Sequence, residues 1–180
     1  MVGTVEPRKC LTQAFGAFEL LWAQGVDANL VIVGNEGWML QSLEQRIRRC
    51  PELGRRLFRL KGVSDEYLEK LYSSCTALIA ASEDEGFGLP LIEAAQHELP
   101  IIARDLPVFR EVAEEHAFYF NGREDADLAQ AVRTWLELNA EGRAPSSKGL
   151  PRLSWEQSAK MLTRVIVEDN WSTSWQPPMG

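Results

Sequence analysis

The chain is poor in the residues that build metal centres. Its 180 residues include only two histidines, His97 and His116, and three cysteines, Cys10, Cys50 and Cys75. None of these stands at metal-ligand spacing, so no metal site is expected. The three cysteines cannot all pair with one another, and they read as reduced, largely buried thiols of a cytosolic protein. No apolar run approaches the roughly 20 residues that span a bilayer. No signal peptide is evident either, because Met1-Val2-Gly3-Thr4 leads directly into Glu6-Pro7-Arg8-Lys9. Positive charge is in deficit: 19 Lys and Arg stand against 26 Asp and Glu, a net charge of −7. That balance argues against nonspecific attraction to nucleic acid or an anionic membrane. A chain so acidic can handle phosphates only where its cations are gathered locally. There is no internal repeat and no low-complexity tract, and the Asn170-Trp171-Ser172 triplet reads as a chance sequon.

What is present is a globular composition, 45% hydrophobic and 25% charged, with length for one core rather than two large domains. Short apolar runs alternate with helical stripes. Leu30-Val31-Ile32-Val33 ends at Gly34 as a buried parallel strand does, and Ala77-Leu78-Ile79-Ala80 and Pro100-Ile101-Ile102-Ala103 repeat the pattern. Residues 56–60 and 117–120 are weaker strands, and Val2-Gly3-Thr4-Val5 reads as the end of a strand entering a loop.

Between the strands, Leu11, Ala14, Phe15, Phe18, Leu21 and Trp22 form one helical stripe. Leu40, Leu43 and Ile47 form a second, which stops before Pro51. Ser64 is placed to cap a helix whose Tyr67, Leu68, Leu71 and Tyr72 face inward. Asp105 is placed to cap a short helix that has Pro107 in its first turn, and Leu128, Val132, Trp135 and Leu136 stripe a later one. The expected fold is therefore α/β, a Rossmann-like doubly wound parallel sheet of about six strands with helices on both faces. Residues 1–139 form its core, 140–153 a loop, 154–169 a last helix with a capping box at Ser154-Trp155-Glu156-Gln157, and 170–180 a tail. Trp135, Trp155 and Trp171 read as packing residues.

Ligands of such a sheet sit beyond the carboxyl ends of its strands. The loop after Ala80 carries Ser82-Glu83-Asp84-Glu85-Gly86-Phe87-Gly88-Leu89-Pro90-Leu91-Ile92-Glu93: an acidic turn, two glycines, then a helix start. Gly86 and Gly88 tolerate positive φ and let a ligand approach the backbone. Free N–H groups at the helix start can receive phosphate or sugar oxygens. Glu85 in the loop and Glu93 one turn into the helix can border one pocket and accept hydrogen bonds from hydroxyls. Gly34-Asn35-Glu36-Gly37-Trp38 is a second turn after a strand, with Trp38 either a packed lid or a ligand contact. His97, near a helix end, and His116, before a strand, read as structural, and Arg104 and Arg110 lie in or just after another ligand-side loop.

Here the chain resembles the family 4 retaining glycosyltransferases, above all their mannosyltransferase-like members. The residues that carry the resemblance are Glu85-Gly86-Phe87-Gly88-Leu89-Pro90-Leu91-Ile92-Glu93-Ala94, which match the family's E-x7-E signature. Leu99-Pro100-Ile101-Ile102-Ala103, Pro107-Val108-Phe109-Arg110-Glu111-Val112 and the opening Val2-Gly3-Thr4-Val5-Glu6-Pro7-Arg8-Lys9 extend it. The resemblance implies the donor-binding half of a GT-B fold, inactive by itself, with an amino-terminal acceptor-binding domain as partner in the same protein. It implies that Glu85 contacts donor-sugar hydroxyls and Glu93 the ribose hydroxyls. Backbone amides of Gly86, Phe87, Gly88 and Leu89 would meet sugar and diphosphate, with Gly3 and Thr4 beside them. Arg8 and Lys9 would offset the diphosphate charge as the leaving group departs, and Gly62 and Val63 would lie in the base-binding loop. Where many relatives carry arginine after the first-strand glycine this chain has Thr4, and Arg8 is expected to take over that contact.

No cofactor and no metal are implied. The donor is a nucleotide-diphospho-sugar, GDP-mannose first, and the acceptor a saccharide or a lipid-linked one. The implied location is the cytoplasm, at the inner face of the membrane in a full-length protein. Two other classes fit less well. A receiver-like signalling domain needs an acidic first loop where this chain has Glu6-Pro7-Arg8-Lys9. A sugar-nucleotide epimerase or a phosphorylase would share the half-fold, although no lysine here is marked for pyridoxal phosphate.

Overall fold

The computed structural model describes residues 1–35, 37, 41–151, 153 and 155–168, residue 155 by its backbone alone. Glu36, Trp38 and Leu40, the Ser154 cap, the Trp155 side chain and the tail with Trp171 lie outside the described residues. The chain divides into two compact units, Met1–Leu150 and Pro151–Gly180.

The first unit is an α/β fold. A 3₁₀ turn, Pro7–Lys9, precedes α1 (Leu11–Ala23), β1 (Leu30–Val33), α2 (Gln41–Arg49) and β2 (Leu57–Leu60). Then come α3 (Asp65–Ser74), β3 (Leu78–Ala80), α4 (Leu89–Gln96), β4 (Ile101–Arg104), α5 (Pro107–Ala113), β5 (Phe118–Phe120) and α6 (Asp125–Ala140). The second unit contains α7 (Trp155–Val167), which exposes Met161, Leu162, Ile166 and Val167. No helix among the described residues is long and apolar enough to cross a membrane.

All strand pairs are parallel. β1 pairs with β2 from Leu30 opposite Leu57, and β4 lies between β3 and β5. Among the described residues, five strands form two sheets, where about six in one sheet were expected. The first strand is represented by residues 1–3, which lie beside β1. Val33 N donates to Met1 O at 2.9 Å and Gly3 N to Val33 O at 3.0 Å. Val2 makes a single bridge to Val33, and with Leu78 it lines two small cavities, so these residues stand between β1 and β3. They are too few to form a ladder that joins the two sheets.

Alternation along the strands distributes side chains to two cores. Ile79 and Ile102 join α1 and α6 in one, with Phe15, Leu21, Leu128 and Trp135. Leu78, Ile101 and Ala103 join α4 and α5 in the other, with Leu91 and Phe109. Helices therefore cover both faces, as the sequence pattern implies. The stripe of α1 is buried throughout, and Leu43 and Ile47 are the buried residues of α2.

Three local expectations need correction. Ser64 does cap α3, accepting from Tyr67 N at 3.3 Å, but Tyr67 points outward and is exposed. Tyr72, one turn further, is the buried residue of that helix. Asp105 caps nothing: the N-cap of α5 is Leu106 and no side chain bonds there. The Asp105 backbone N–H pairs with Phe120 O, and its carboxylate is held by Arg110 at 2.7 and 2.9 Å. The cysteines are free, but half-buried rather than buried.

Gly34 marks where the chain leaves β1 at a crossing of backbones. Its φ is +147°, and a Cβ there would lie 1.9 Å from Gly3 O. Neither atom can retreat without breaking the Gly3–Val33 pairing. Gly34→Ala is expected to cost about 2–4 kcal/mol, read as a lower urea midpoint with unchanged m.

Candidate functional site

Two loops meet at the carboxyl edge of the strands. One is residues 4–10, which leaves the first strand through the 3₁₀ turn; the other is residues 81–88, between β3 and α4. Glu83 N donates to Arg8 O at 2.8 Å and ties them together. Glu85 then collects most of the polar groups nearby. Its carboxylate accepts from Lys9 Nζ, from Ser82 Oγ at 2.8 Å and from Arg8 at 3.0 Å. Arg8 also donates to Asp84 O at 3.3 Å and to Glu6 at 2.9 Å.

Glu85 and Lys9 are mostly covered, their side chains 10% and 15% exposed, whereas Arg8 is 46% exposed. Burial alone would raise the Glu85 carboxyl. The bonds from Lys9 and Ser82, the Lys9 charge and the bond from Arg8 outweigh it and hold the group below its usual range. The Arg8 guanidinium is raised correspondingly, by its bonds to Glu6 and Glu85.

The structure places the sequence-predicted residues in two clusters. Gly3, Lys9, Ser82, Glu85, Gly88 and Phe109 line one cavity at this edge. Glu93 is not among its lining residues; on α4 its Oε2 accepts from the Tyr72 hydroxyl at 2.6 Å. The two carboxylates thus sit in different surroundings, one among cations and one beside a neutral phenol.

Of the two glycines, only Gly88 has positive φ (+93°); it is the N-cap of α4, and a Cβ there would meet the Phe109 ring at 2.8 Å. Gly86 needs no unusual backbone and has open space where a Cβ would stand, which leaves the loop approachable. Phe87 and Leu89 are exposed. Thr4 is also exposed, and Gly62 N donates to Asn35 Oδ1 at 3.1 Å, joining the loop that carries Val63 to the turn after β1. His97 stacks on Tyr72 at 5.7 Å, and His116 faces Ser146 O at 3.0 Å.

Arg104 is what sequence reasoning left undefined. It ends β4 as a buried cation, with no salt bridge among the described residues. Its guanidinium donates to Ala81 O at 3.0 Å, Ser82 O at 3.1 Å, Gly122 O and Gln13 Oε1, and lies 5.0 Å from the Phe120 ring centroid. Gln13 in turn donates to Glu124 O at 2.8 Å. One side chain therefore fixes the start of the Glu85 loop against α1 and the loop after β5. A charged residue closing the apolar Ile101-Ile102-Ala103 run was the available signal. Tyr72 was legible only as a core residue, and Ser82 only as part of the acidic turn. Among the described residues, no group of three or more His, Cys, Asp or Glu is arranged to hold a metal.

Two outcomes follow from this arrangement. Arg104→Met keeps the aliphatic volume and strands three carbonyls and an amide oxygen; it should cost about 3 kcal/mol or more in a urea titration. Glu85 is lowered in the folded state, so its contribution to stability is complete above its unfolded value of about 4.3 and is lost as pH falls through the folded value. The difference in urea midpoint between the parent and Glu85→Gln should be constant from pH 6 to 7 and shrink once the pH drops below about 4.

The model of a family described as glycosyl transferases group 1 matches residues 1–149. The serotype-specific mannosyltransferase WbdA of Escherichia coli is 52% identical over 166 residues, which are 92% of this chain and 20% of WbdA. The O-antigen chain mannosyltransferase RfbU of Salmonella typhimurium is 35% identical over 167 residues, 93% of this chain and 46% of RfbU. The chain thus spans a fifth of one relative and under half of the other.

Among solved structures, sucrose-phosphate synthase of Thermosynechococcus elongatus superposes with a TM-score of 0.72 at 23% identity, over 93% of this chain and 44% of that one. Anabaena HepE in complex with UDP-glucose gives 0.70 at 20% identity, over 93% and 46%. These likenesses carry the GT-B fold. With most of its length matched by the family model, the chain belongs to the group 1 glycosyl transferases.

Proposed function

We propose that this chain is the donor-binding domain of a retaining mannosyltransferase that builds a surface polysaccharide or a glycolipid. The carrying observation is the convergence of Lys9, Arg8 and Glu85 on one strand edge, beside the amino terminus of α4. Two cations next to a helix amino terminus and the amides of its approach loop suit a diphosphate, and carboxylates beside them suit sugar and ribose hydroxyls. The naming of WbdA and RfbU as mannosyltransferases supports mannose, and HepE, solved with UDP-glucose, supports a nucleotide-sugar ligand in this fold. GDP-mannose is the donor we assign.

In this reading Glu93 takes the ribose hydroxyls and Glu85 the sugar hydroxyls, while amides of residues 86–89 meet the sugar and diphosphate. Gly3 and Thr4 flank the diphosphate, and Gly62 and Val63 border the base. Lys9 and Arg8 stabilise the charge that grows as the bond from the anomeric carbon to the diphosphate breaks, a role that is electrostatic and needs no metal. The acceptor hydroxyl attacks from the same face, so configuration is retained. The acceptor, a saccharide or a lipid-linked one, and the groups that act on its proton belong to an amino-terminal domain. The 180 residues alone should bind nucleotide and turn over poorly or not at all. The whole protein would work in the cytoplasm, at the inner face of the membrane.

Calorimetric titration of GDP, UDP and dTDP into the chain tests this reading. GDP should saturate, and Lys9→Met should weaken the diphosphate about tenfold or more while leaving guanosine unaffected. Binding of UDP or dTDP instead would keep the donor-domain assignment and replace the base. Absence of binding by all three, or indifference to Lys9→Met, would overturn the assignment.

A further inference from the structure

The environment of Glu93 has a feature that the donor-binding reading does not use. Tyr72 projects from α3 toward α4, and its hydroxyl donates to Glu93 Oε2 at 2.6 Å. The phenol is 5% exposed and packs in the core formed with Leu78, Leu91 and Ile101. Its ring is stacked on His97, the residue that ends α4 as its C-cap four positions after Glu93, with 11° between the planes. His97 Nδ1 in turn is 3.0 Å from Ser73 Oγ, the neighbour of Tyr72. Two side chains of α3 thus engage Glu93 of α4 and the C-cap residue of that helix, which leaves the phenol little freedom to rotate away.

The chemistry of this anchor differs from that at Glu85. Among the described residues Glu93 has no salt bridge, and Tyr72 is the hydrogen-bond donor given to its carboxylate. A neutral donor orients a carboxylate without cancelling its charge, and it leaves Oε1 as an acceptor. The phenol itself is pushed well above its ordinary range, by burial first and by Glu93 second, so it stays a proton donor wherever the protein is folded. A carboxylate oriented by a neutral donor, with no salt bridge among the described residues, can accept hydrogen bonds from a pair of neutral hydroxyls.

We infer that Tyr72 is a positioning residue for ribose recognition: by holding Oε2 of Glu93 it aims the carboxylate at the ribose hydroxyls of the nucleotide. The inference rests on the donor-binding reading above and goes beyond it, because it assigns the selectivity for ribose over deoxyribose to a buried residue on a different helix. Tyr72 touches no substrate in this scheme and acts only through Glu93.

The test is a double comparison by calorimetry with GDP and 2′,3′-dideoxy-GDP, or with the uridine pair if UDP is the nucleotide that binds. The proteins are the parent chain, Tyr72→Phe and Glu93→Gln. Tyr72→Phe keeps the ring and its stacking on His97, so the core is preserved. Affinity ratios are read between two ligands on one protein, which cancels any general loss of stability. In the parent, GDP should bind at least tenfold more tightly than the dideoxy analogue. In Tyr72→Phe that ratio should fall to about threefold or less, through weaker GDP binding and unchanged dideoxy-GDP binding. A Tyr72→Phe protein with the parental ratio, alongside Glu93→Gln with a collapsed one, would overturn the positioning role and leave the donor-binding reading intact. A parental ratio in Glu93→Gln as well would remove the ribose role of Glu93, and the inference with it.

Discussion

The site depends first on the buried guanidinium of Arg104. Three chain segments arrive at the carboxyl edge with carbonyls pointing inward: Ala81 and Ser82 after β3, Gly122 after β5, and the Gln13 side chain from α1. Unpaired buried carbonyls are costly, and a planar donor fork can serve several directions at once. A carboxylate partner would neutralise the charge but could not join three segments. Dipoles join the segments and stabilise the charge without neutralising it, because each carbonyl directs its negative end at the cation. Ser82 is thereby fixed through its backbone, and it is Ser82 Oγ that donates to Glu85. The position of the loop carboxylate is inherited from a residue one strand away.

From that anchor the two glutamates diverge. Glu85 is held by two charged donors, Lys9 and Arg8, together with the Ser82 hydroxyl. Glu93 is held by a neutral phenol. The eight-residue spacing of the motif reflects how the loop and α4 are built: Glu85 precedes the helix, Gly88 turns the backbone at φ +93° with Phe109 packed against it, and Glu93 lies one turn in. A side chain at position 88 would shift the start of α4 and alter the relation between the two carboxylates. The glycine at 88 is required by geometry.

The layers of the fold were legible in the sequence because period and burial agreed. The Leu30-Val31-Ile32-Val33 run and the stripe through Phe15, Phe18 and Leu21 sit where the pattern places them. Ser64 was legible as a cap because its bond is local. Asp105 was misread since the capping rule weighs one carboxylate against one helix end and ignores a better partner, Arg110, five residues on. Tyr67 was misread as inward because an apolar-looking stripe does not tell which tyrosine finds an acceptor on a neighbouring helix. At the site, the sequence revealed residue types and order but not pairings. Arg104–Gln13 and Tyr72–Glu93 link residues 91 and 21 positions apart, and nothing local encodes either.

Charge balance at the strand edge constrains what can occupy it. Arg8 and Lys9 stand among Glu6, Glu83, Asp84 and Glu85, so the edge is not an electropositive funnel. Beyond about 10 Å such a mixture offers an anion little attraction in physiological salt. On the proposed reading, binding is decided at contact, where Lys9 and Arg8 would exchange Glu85 for a ligand oxygen. That exchange is unfavourable for a bare anion, because it removes two of the three donors that hold a mostly covered carboxylate. It is more favourable for a ligand that brings hydroxyls to Glu85 in the same step as it brings oxygens to the cations. Inorganic phosphate cannot do both, and a nucleoside diphosphate does so incompletely. On the proposed reading, a sugar attached to the diphosphate supplies further hydroxyl donors, so the ion pairs of Glu85 favour the intact donor over the nucleotide alone.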